Sequence, residues 1–206
     1  MNPKDHDNIG LVAFDLGNVL CDVDEISASK KLASVSGLSP EATHQIAFGQ
    51  RQKLLFESGK MSFKEHVEIA IKKLGILMSN SQFTEIYDSV LIPSFEMFPL
   101  VRKLERTCRI ALVSNTSEPH WNSAKQFLPF SSRLCPVILS YSIRAMKPDP
   151  AFYDALLKRS SVPADRILFV DDLPVNIEAA KYAGMHGHRF TTRSNLESEL
   201  TKRGLI

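Results

Sequence analysis

Carboxylate, hydroxyl, amide and ammonium side chains follow short apolar runs of this chain, and these side chains could do chemistry. They are Asp15, Ser114, Asn115, Lys147, Asp171 and Asp172. If the apolar runs are parallel strands, their carboxyl ends meet at one edge of a sheet, which is where open α/β sheets bind ligands. We therefore expect these side chains to share one site.

The three carboxylates of this set predict a bound divalent cation. Asp15, Asp171 and Asp172 would repel one another at neutral pH unless a positive charge lay among them. Oxygen ligands without histidine or cysteine are those that Mg²⁺ prefers in proteins. The predicted cofactor is therefore Mg²⁺.

A metal beside a lysine and several turn amides is typical of a site for a phosphate group. The metal and Lys147 would neutralise the phosphoryl oxygens, while the backbone N–H groups of Leu16, Gly17 and Asn18 would donate hydrogen bonds to them. Asp15 can also act as a nucleophile, because an aspartyl phosphate divides one difficult displacement into two easier ones. The predicted chemistry is phosphoryl transfer to Asp15 and then to water.

Five apolar runs predict the strands that position this site. They are Gly10–Asp15, Arg109–Ser114, Val137–Ser140, Arg166–Asp171 and Gly187–Thr191. The runs are nearly continuous in Val, Ile, Leu and Phe, which is typical of strands covered on both faces. Helix signals lie between them, such as Asp149-Pro150 and Pro174 at helix starts. The predicted fold is α/β, a doubly wound parallel sheet.

A long insertion separates the first two predicted strands. The segment from Asp15 to Arg109 is far longer than one crossover needs, and it shows no strand pattern from Asp24 to Val90. Helix starts are predicted at Ser39, at the capping box Ser62–Glu65, and at Ser81 or a neighbour. We predict a core of residues 1–21 and 93–206 with an inserted all-helical subdomain of residues 22–92.

The composition excludes several classes of function. The 206 residues include 25 basic and 23 acidic side chains, a net charge of +2 that is too small to bind long polyanions. No stretch approaches the roughly 20 apolar residues of a membrane span, and the opening segment MNPKDHDNIG is too polar for a signal peptide. We expect a cytoplasmic protein, monomeric or weakly dimeric, that binds a small molecule and neither nucleic acid nor a membrane.

Four motifs of the chain resemble those of the haloacid dehalogenase-like (HAD) hydrolases. FDLGN, VSNT, KPDP and VDDLPVNIEAA match that superfamily in order, strand context and spacing. The resemblance implies a Rossmann-like core, and it identifies the helical insertion as the small cap that one subfamily carries after its first motif. The roles that it implies are nucleophile for Asp15, phosphate binding for Ser114 and Asn115, stabilising cation for Lys147, and magnesium binding for Asp171 and Asp172.

One position departs from the usual family pattern. Most of the family's phosphatases carry a second Asp two residues after the nucleophile, as the general acid that protonates the leaving group and then activates water, whereas this chain has Gly17. Because glycine cannot carry a proton, a rate contribution on the order of 10² to 10⁴ is lost or comes from another group. The Gly17 carbonyl can still bind the metal. Other proton carriers to consider are Asp22, Asp24, His44, His66 and His120.

The sequence thus predicts a Mg²⁺-dependent phosphatase acting on a small phosphorylated metabolite, in particular a sugar phosphate. The DLGN form and, loosely, the Glu-x-Gly stretch within Phe56–His66 resemble the branch that includes α-D-glucose-1-phosphate phosphatase. Two alternatives stay open. One is a haloacid dehalogenase-type hydrolase, in which Asp15 attacks carbon without a metal. The other is a phosphate-binding or interaction module that has lost catalysis through Gly17.

Overall fold

A computed structural model describes residues 9–206 of the chain. Residues 1–8, which hold most of the polar opening segment and the start of the predicted core, lie outside the described residues. The strands are β1 Leu11–Phe14, β2 Cys21–Val23, β3 Leu91–Pro93, β4 Arg109–Ser114, β5 Val137–Leu139, β6 Ile167–Asp171 and β7 His186–Arg189. Five of them form one parallel sheet in the order β5-β4-β1-β6-β7. These are the five predicted strands, with ends that differ by up to two residues.

Helices connect the strands and cover both faces of the sheet. They are α1 Glu25–Ser36, α2 Pro40–Ala47, α3 Gln50–Glu57, α4 Phe63–Leu74, α5 Asn80–Asp88, α6 Met97–Leu104, α7 Glu118–Phe127, α8 Ser140–Ile143, α9 Pro150–Ser160, α10 Pro174–Tyr182 and α11 Arg193–Lys202. Because successive strand side chains point to opposite faces, Val12 and Phe14 pack in one apolar cluster with α6 and α11. Leu11 and Ala13 pack in the other cluster with α9 and α10. The predicted doubly wound α/β fold is confirmed.

The insertion after β1 holds five helices, α1 to α5, with an apolar core of their own. Phe83 and Tyr87 of α5 are fully buried in this core. Ser39 and Ser62 cap α2 and α4 as predicted. The third helix was predicted to start at Ser81 or a neighbour, and its N-cap is Ser79. No helix start was predicted for α1 or for α3. The division into residues 22–92 and the remainder stays a prediction.

A short antiparallel ribbon stands where the chain leaves and re-enters the core. β2 pairs with β3, with Asp22 opposite Ile92. The sequence does not reveal this ribbon, because each strand has only three residues and neither shows an alternating pattern over a useful length. Within residues 9–206 no helix combines the length and the apolarity needed to cross a membrane.

Candidate active site

The parallel register of β1 and β6 brings the first and last motifs together. Phe14 lies opposite Val170, so Asp15 and Asp171 follow at the same edge of the sheet. The Asp15 amide donates to the Val170 carbonyl over 2.9 Å, which fixes the backbone at this point. Strand geometry therefore positions two carboxylates that are far apart in the sequence.

Lys147 connects these two carboxylates. Its Nζ lies 2.9 Å from Oδ1 of Asp15 and 2.6 Å from Oδ2 of Asp171, and it donates to the Val113 carbonyl over 3.0 Å. The ammonium group therefore has an acceptor for each of its three protons. Only 1% of the Lys147 side chain is exposed, so these charge interactions are little screened by water.

Asn115 holds the backbone of Lys147 in place. Its Nδ2 donates to the Lys147 carbonyl over 2.9 Å, and its Oδ1 accepts from the Lys147 amide over 2.8 Å. Both ends of this side chain are thus used to position Lys147, so the predicted phosphate contact of Asn115 would have to come from its backbone. Ser114 is buried, and its hydroxyl donates to the Asn115 carbonyl over 3.4 Å.

Asp171 is held by α10 as well as by Lys147. Its Oδ1 accepts from the Leu173 amide and from Nδ2 of Asn176, both over 2.9 Å, and the residue is fully buried. Asn176 is a site residue that the sequence reasoning missed. Its position in the first turn of the helix after the acidic pair was the available signal.

Asp172 completes a cluster of three carboxylates. Ligand oxygens of Asp15, Asp171 and Asp172 all lie within 4.8 Å of one another. Nδ2 of Asn18 donates to Oδ2 of Asp172 over 3.0 Å, from a residue with the left-handed backbone angle φ of 55°. The three carboxylates predicted to bind the metal are therefore together in space.

The turn after Asp15 uses two of its three predicted phosphate-binding amides internally. The Leu16 amide donates to Oδ1 of Asp15 over 2.7 Å, and the Asn18 amide donates to the Cys21 carbonyl over 2.6 Å. Among these three residues, only Gly17 keeps an amide that no described acceptor receives. In this geometry the Leu16 and Asn18 amides shape the turn, and that of Gly17 is left for a ligand.

The charges of the cluster fit a divalent cation. The pKa of Asp15 is raised to about 7, because burial and, to a lesser degree, nearby Asp171 raise it more than Lys147 lowers it. One ammonium group thus faces three carboxylates, all of whose ligand atoms are oxygen. Such a donor set and charge excess suit Mg²⁺.

A cavity of about 400 Å³ opens over this cluster. Its core side includes Asp15, Gly17, Asn18, Asn115, Lys147, Asp172, Leu173 and Asn176, and its other side is formed by Val23, Glu25, Lys53 and Glu57. The insertion thus closes the site from above with three charged side chains, Glu25, Lys53 and Glu57. None of the five proton carriers considered from the sequence is among these lining residues.

Comparisons with known proteins agree with this fold. The model of the family described as haloacid dehalogenase-like hydrolase matches residues 9–184. A D-ribitol-5-phosphate phosphatase from Bacteroides thetaiotaomicron is 28% identical over 207 residues, which covers 92% of this chain and 96% of that protein. A HAD family enzyme from the same organism, crystallised with magnesium and inorganic phosphate, is 23% identical with a TM-score of 0.76, covering 92% of this chain and 99% of that one. An L-2-haloacid dehalogenase from Xanthobacter autotrophicus is 20% identical with a TM-score of 0.65, and the match covers 96% of this chain and 84% of that one.

Proposed function

Because the chain belongs to the haloacid dehalogenase-like hydrolases, we propose that it is a magnesium-dependent phosphatase that works through an aspartyl phosphate on Asp15. The observation that carries this proposal is the Lys147 ammonium group, bound between Asp15 and Asp171 beneath a cavity. The similar phosphatase and the related enzyme crystallised with magnesium and phosphate support it.

Asp15 is the nucleophile of the proposed reaction. Lys147 and the Leu16 amide both bind its Oδ1, which leaves Oδ2 for attack on phosphorus. As the bond between Oδ2 and phosphorus forms, the bond between phosphorus and the leaving oxygen breaks. Water then attacks the phosphorus of the aspartyl phosphate, which regenerates Asp15 and releases inorganic phosphate.

Four residues would hold the magnesium ion. They are Asp15, Asp171 and Asp172 through their carboxylates and Gly17 through its carbonyl. Asp172 has the carboxylate with fewest internal partners, whereas both oxygens of Asp171 already accept hydrogen bonds. When bound, the ion supplies positive charge for the phosphoryl oxygens.

The cavity supports a small substrate with several hydroxyl groups, a sugar or polyol phosphate. Its volume of about 400 Å³ lies at the lower end of the range for small-molecule sites. The Glu25 carboxylate can accept hydrogen bonds from hydroxyl groups and the Lys53 ammonium group can donate to them. A relative of this chain bears the name of a polyol phosphate phosphatase.

Hydrolysis of a panel of phosphate esters, with Mg²⁺ and with EDTA, tests the proposed function. We expect turnover only with Mg²⁺, and its loss in Asp15→Asn. Asp154→Asn, an exposed residue of α9, is the matched control and should keep full activity. Turnover by neither protein on any ester would refute the phosphatase, and halide release from 2-haloacids without metal would identify a dehalogenase instead.

A further inference from the structure

Among the described residues, the core side of the cavity offers no acid for the leaving oxygen, because its carboxylates are assigned to attack on phosphorus and to the metal. Gly17 stands where such a group is usual, and Lys147 already has three acceptors. Asp24, a candidate from the sequence, is the N-cap of α1, and its carboxylate accepts from the Ser27 amide over 2.9 Å. Hydrogen bonds with the Ser27 side chain and then with its amide lower the pKa of Asp24, so it carries no proton at neutral pH.

The remaining sequence candidates are also placed elsewhere. His66 lies inside the helical subdomain with Nε2 3.0 Å from the Ala47 carbonyl, and His120 lies with Nε2 3.3 Å from the Tyr87 carbonyl. Burial lowers the pKa of each histidine to about 4, so both are neutral at pH 7. Asp22 is exposed, and His44 binds Oε2 of Glu25 over 2.8 Å. None of the four lines the cavity.

Glu57 is the acidic side chain that the cavity offers in their place. It is the last residue of α3 and lines the cavity together with Asp15 and Lys147, from the helical side. Only 7% of Glu57 is exposed, and its carboxylate makes no hydrogen bond with the described residues. The carboxylate instead opens to the cavity that Asp15 and Lys147 also line, so it is free to exchange a proton with a bound molecule there.

The turn after Glu57 is held against the core. Gly59 has a φ of 68°, and a Cβ atom at this position would lie 2.6 Å from the Tyr141 carbonyl oxygen of α8. Only glycine permits both this backbone conformation and this close approach. The close approach of this turn to α8 positions the end of α3, and with it Glu57, next to the core.

The charges around Glu57 leave it close to half protonated at neutral pH. Burial raises its pKa most, Lys53 from the same helix lowers it, Glu25 of α1 raises it and Lys147 of the core lowers it, with a result of about 7. Tyr87 of α5 also faces this carboxylate, which contributes to the raised pKa of the tyrosine. A substrate phosphate would add negative charge and favour the protonated form further.

We propose that Glu57 is the general acid and base of this site and replaces the side chain that Gly17 lacks. This inference rests on the proposed phosphatase function. In an in-line displacement the leaving oxygen departs on the side of phosphorus opposite to the attacking oxygen. Asp15 attacks from the core, so the leaving oxygen faces the helical side, where Glu57 lies. The Glu57 carboxyl gives its proton to that oxygen as the P–O bond breaks.

The same group then serves the second step. Once it has lost its proton, the Glu57 carboxylate accepts a proton from the attacking water while the water oxygen bonds to phosphorus and the bond to Asp15 breaks. Glu57 ends protonated and Asp15 ends as a carboxylate, so the cycle is balanced. One titratable group thus acts first as acid and then as base.

Leaving groups of different basicity test this role. Glu57→Gln should lower kcat/KM for glycerol phosphate by a factor on the order of 10² to 10⁴. The value for p-nitrophenyl phosphate should change little, because p-nitrophenolate leaves without a proton. For this second ester kcat should fall with a burst of p-nitrophenol, since hydrolysis of the aspartyl phosphate still lacks its base. Glu68→Gln, an exposed residue of α4, is the matched control.

Equal losses of kcat/KM for both esters, or no loss for either, would overturn the role of Glu57 while leaving the phosphatase in place. If Glu57→Gln does not fold, Glu57→Asp gives the second measurement, with the same ordering of losses expected. A further arm adds Gly17→Asp to Glu57→Gln. A Cβ atom at position 17 would lie 3.3 Å from Cγ2 of Val23, which is a tight but adjustable contact. We expect it to restore turnover of glycerol phosphate, and failure to do so would count against a proton-transfer role.

Discussion

The two sides of the cavity differ in how their charged groups are satisfied. On the core side, Lys147 has three acceptors, Asp171 accepts from three donors, and Asn115 fixes the Lys147 backbone. On the helical side, Glu57 is buried without a hydrogen bond to the described residues, and Lys53 pairs with Glu25 at 2.6 Å. The core therefore supplies a fixed arrangement of charge, whereas the helical side supplies a group whose protonation can change during the reaction.

Removing the central cation of the core side should have the largest effect. Lys147→Met leaves Asp15 and Asp171 facing each other without their shared partner, and breaking a buried ion pair in this way costs about 3 to 5 kcal/mol. We also expect kcat/KM to fall by a factor on the order of 10² to 10³, as for loss of an electrostatic stabiliser.

Denaturant unfolding and phosphate ester hydrolysis measure the two effects of Lys147→Met. Lys158→Met, an exposed residue of α9, is the control and should resemble the unmodified protein in both. A Lys147→Met protein of unchanged stability would show that the ion pairs on the core side contribute little to the free energy of unfolding. The core side would then not be the more firmly fixed of the two.

The core side was predictable from the sequence because topology alone brings its residues together. Parallel strands end at one edge, so Asp15 and Asp171 had to meet once β1 and β6 were recognised as neighbours in one sheet. What the sequence did not reveal was how the polar groups pair. The sequence assigned Asn115 to the phosphate, but its side chain binds Lys147, because contacts between distant segments depend on loop paths that no local pattern encodes.

The helical side was not predictable in the same way. Five helices cover residues 25–88. α1 carries an Asp24 N-cap and a Gly37 C-cap that were not used to predict it, whereas α3 lacks such signals. α3 starts at Gln50, and its N-cap, Gly49, has no side chain to cap the helix. No local pattern therefore placed the end of α3, and with it Glu57, at the cavity. A resemblance to a Glu-x-Gly stretch marked the segment but not the direction in which Glu57 points.

A second substitution tests how far the core side depends on its hydrogen bonds. Asn18→Gly removes the amide that donates to Asp172 but tolerates the left-handed backbone at this position. Loss of a partner that orients a metal ligand weakens metal affinity by about 10- to 100-fold. We expect the affinity for Mg²⁺ to fall by about 10-fold, as measured by titration calorimetry. Unchanged affinity would mean that Asp172 needs no support or binds no metal.

Lys53→Met tests the protonation of Glu57 on the helical side. Lys53 lowers the pKa of Glu57, so its removal raises that pKa and keeps the carboxyl protonated to higher pH. The alkaline limb of the pH profile of kcat/KM for an alkyl phosphate should therefore move upward by about one pH unit. Lys72→Met, exposed in α4, should leave the profile in place. A downward shift would contradict the assignment of that limb to Glu57.

The smallest effect is expected where the helical side is altered away from the cavity. The Ser62 hydroxyl accepts from the Glu65 amide over 3.2 Å, and Oε2 of Glu65 accepts from the Ser62 amide over 2.8 Å. Ser62→Ala removes this N-cap of α4 and should cost about 1 kcal/mol in the free energy of unfolding. Because α4 contributes no residue to the cavity lining, kcat/KM and its pH profile should stay unchanged. A shifted profile in Ser62→Ala would show that the protonation of Glu57 depends on the packing of the whole subdomain and not only on the charges beside it.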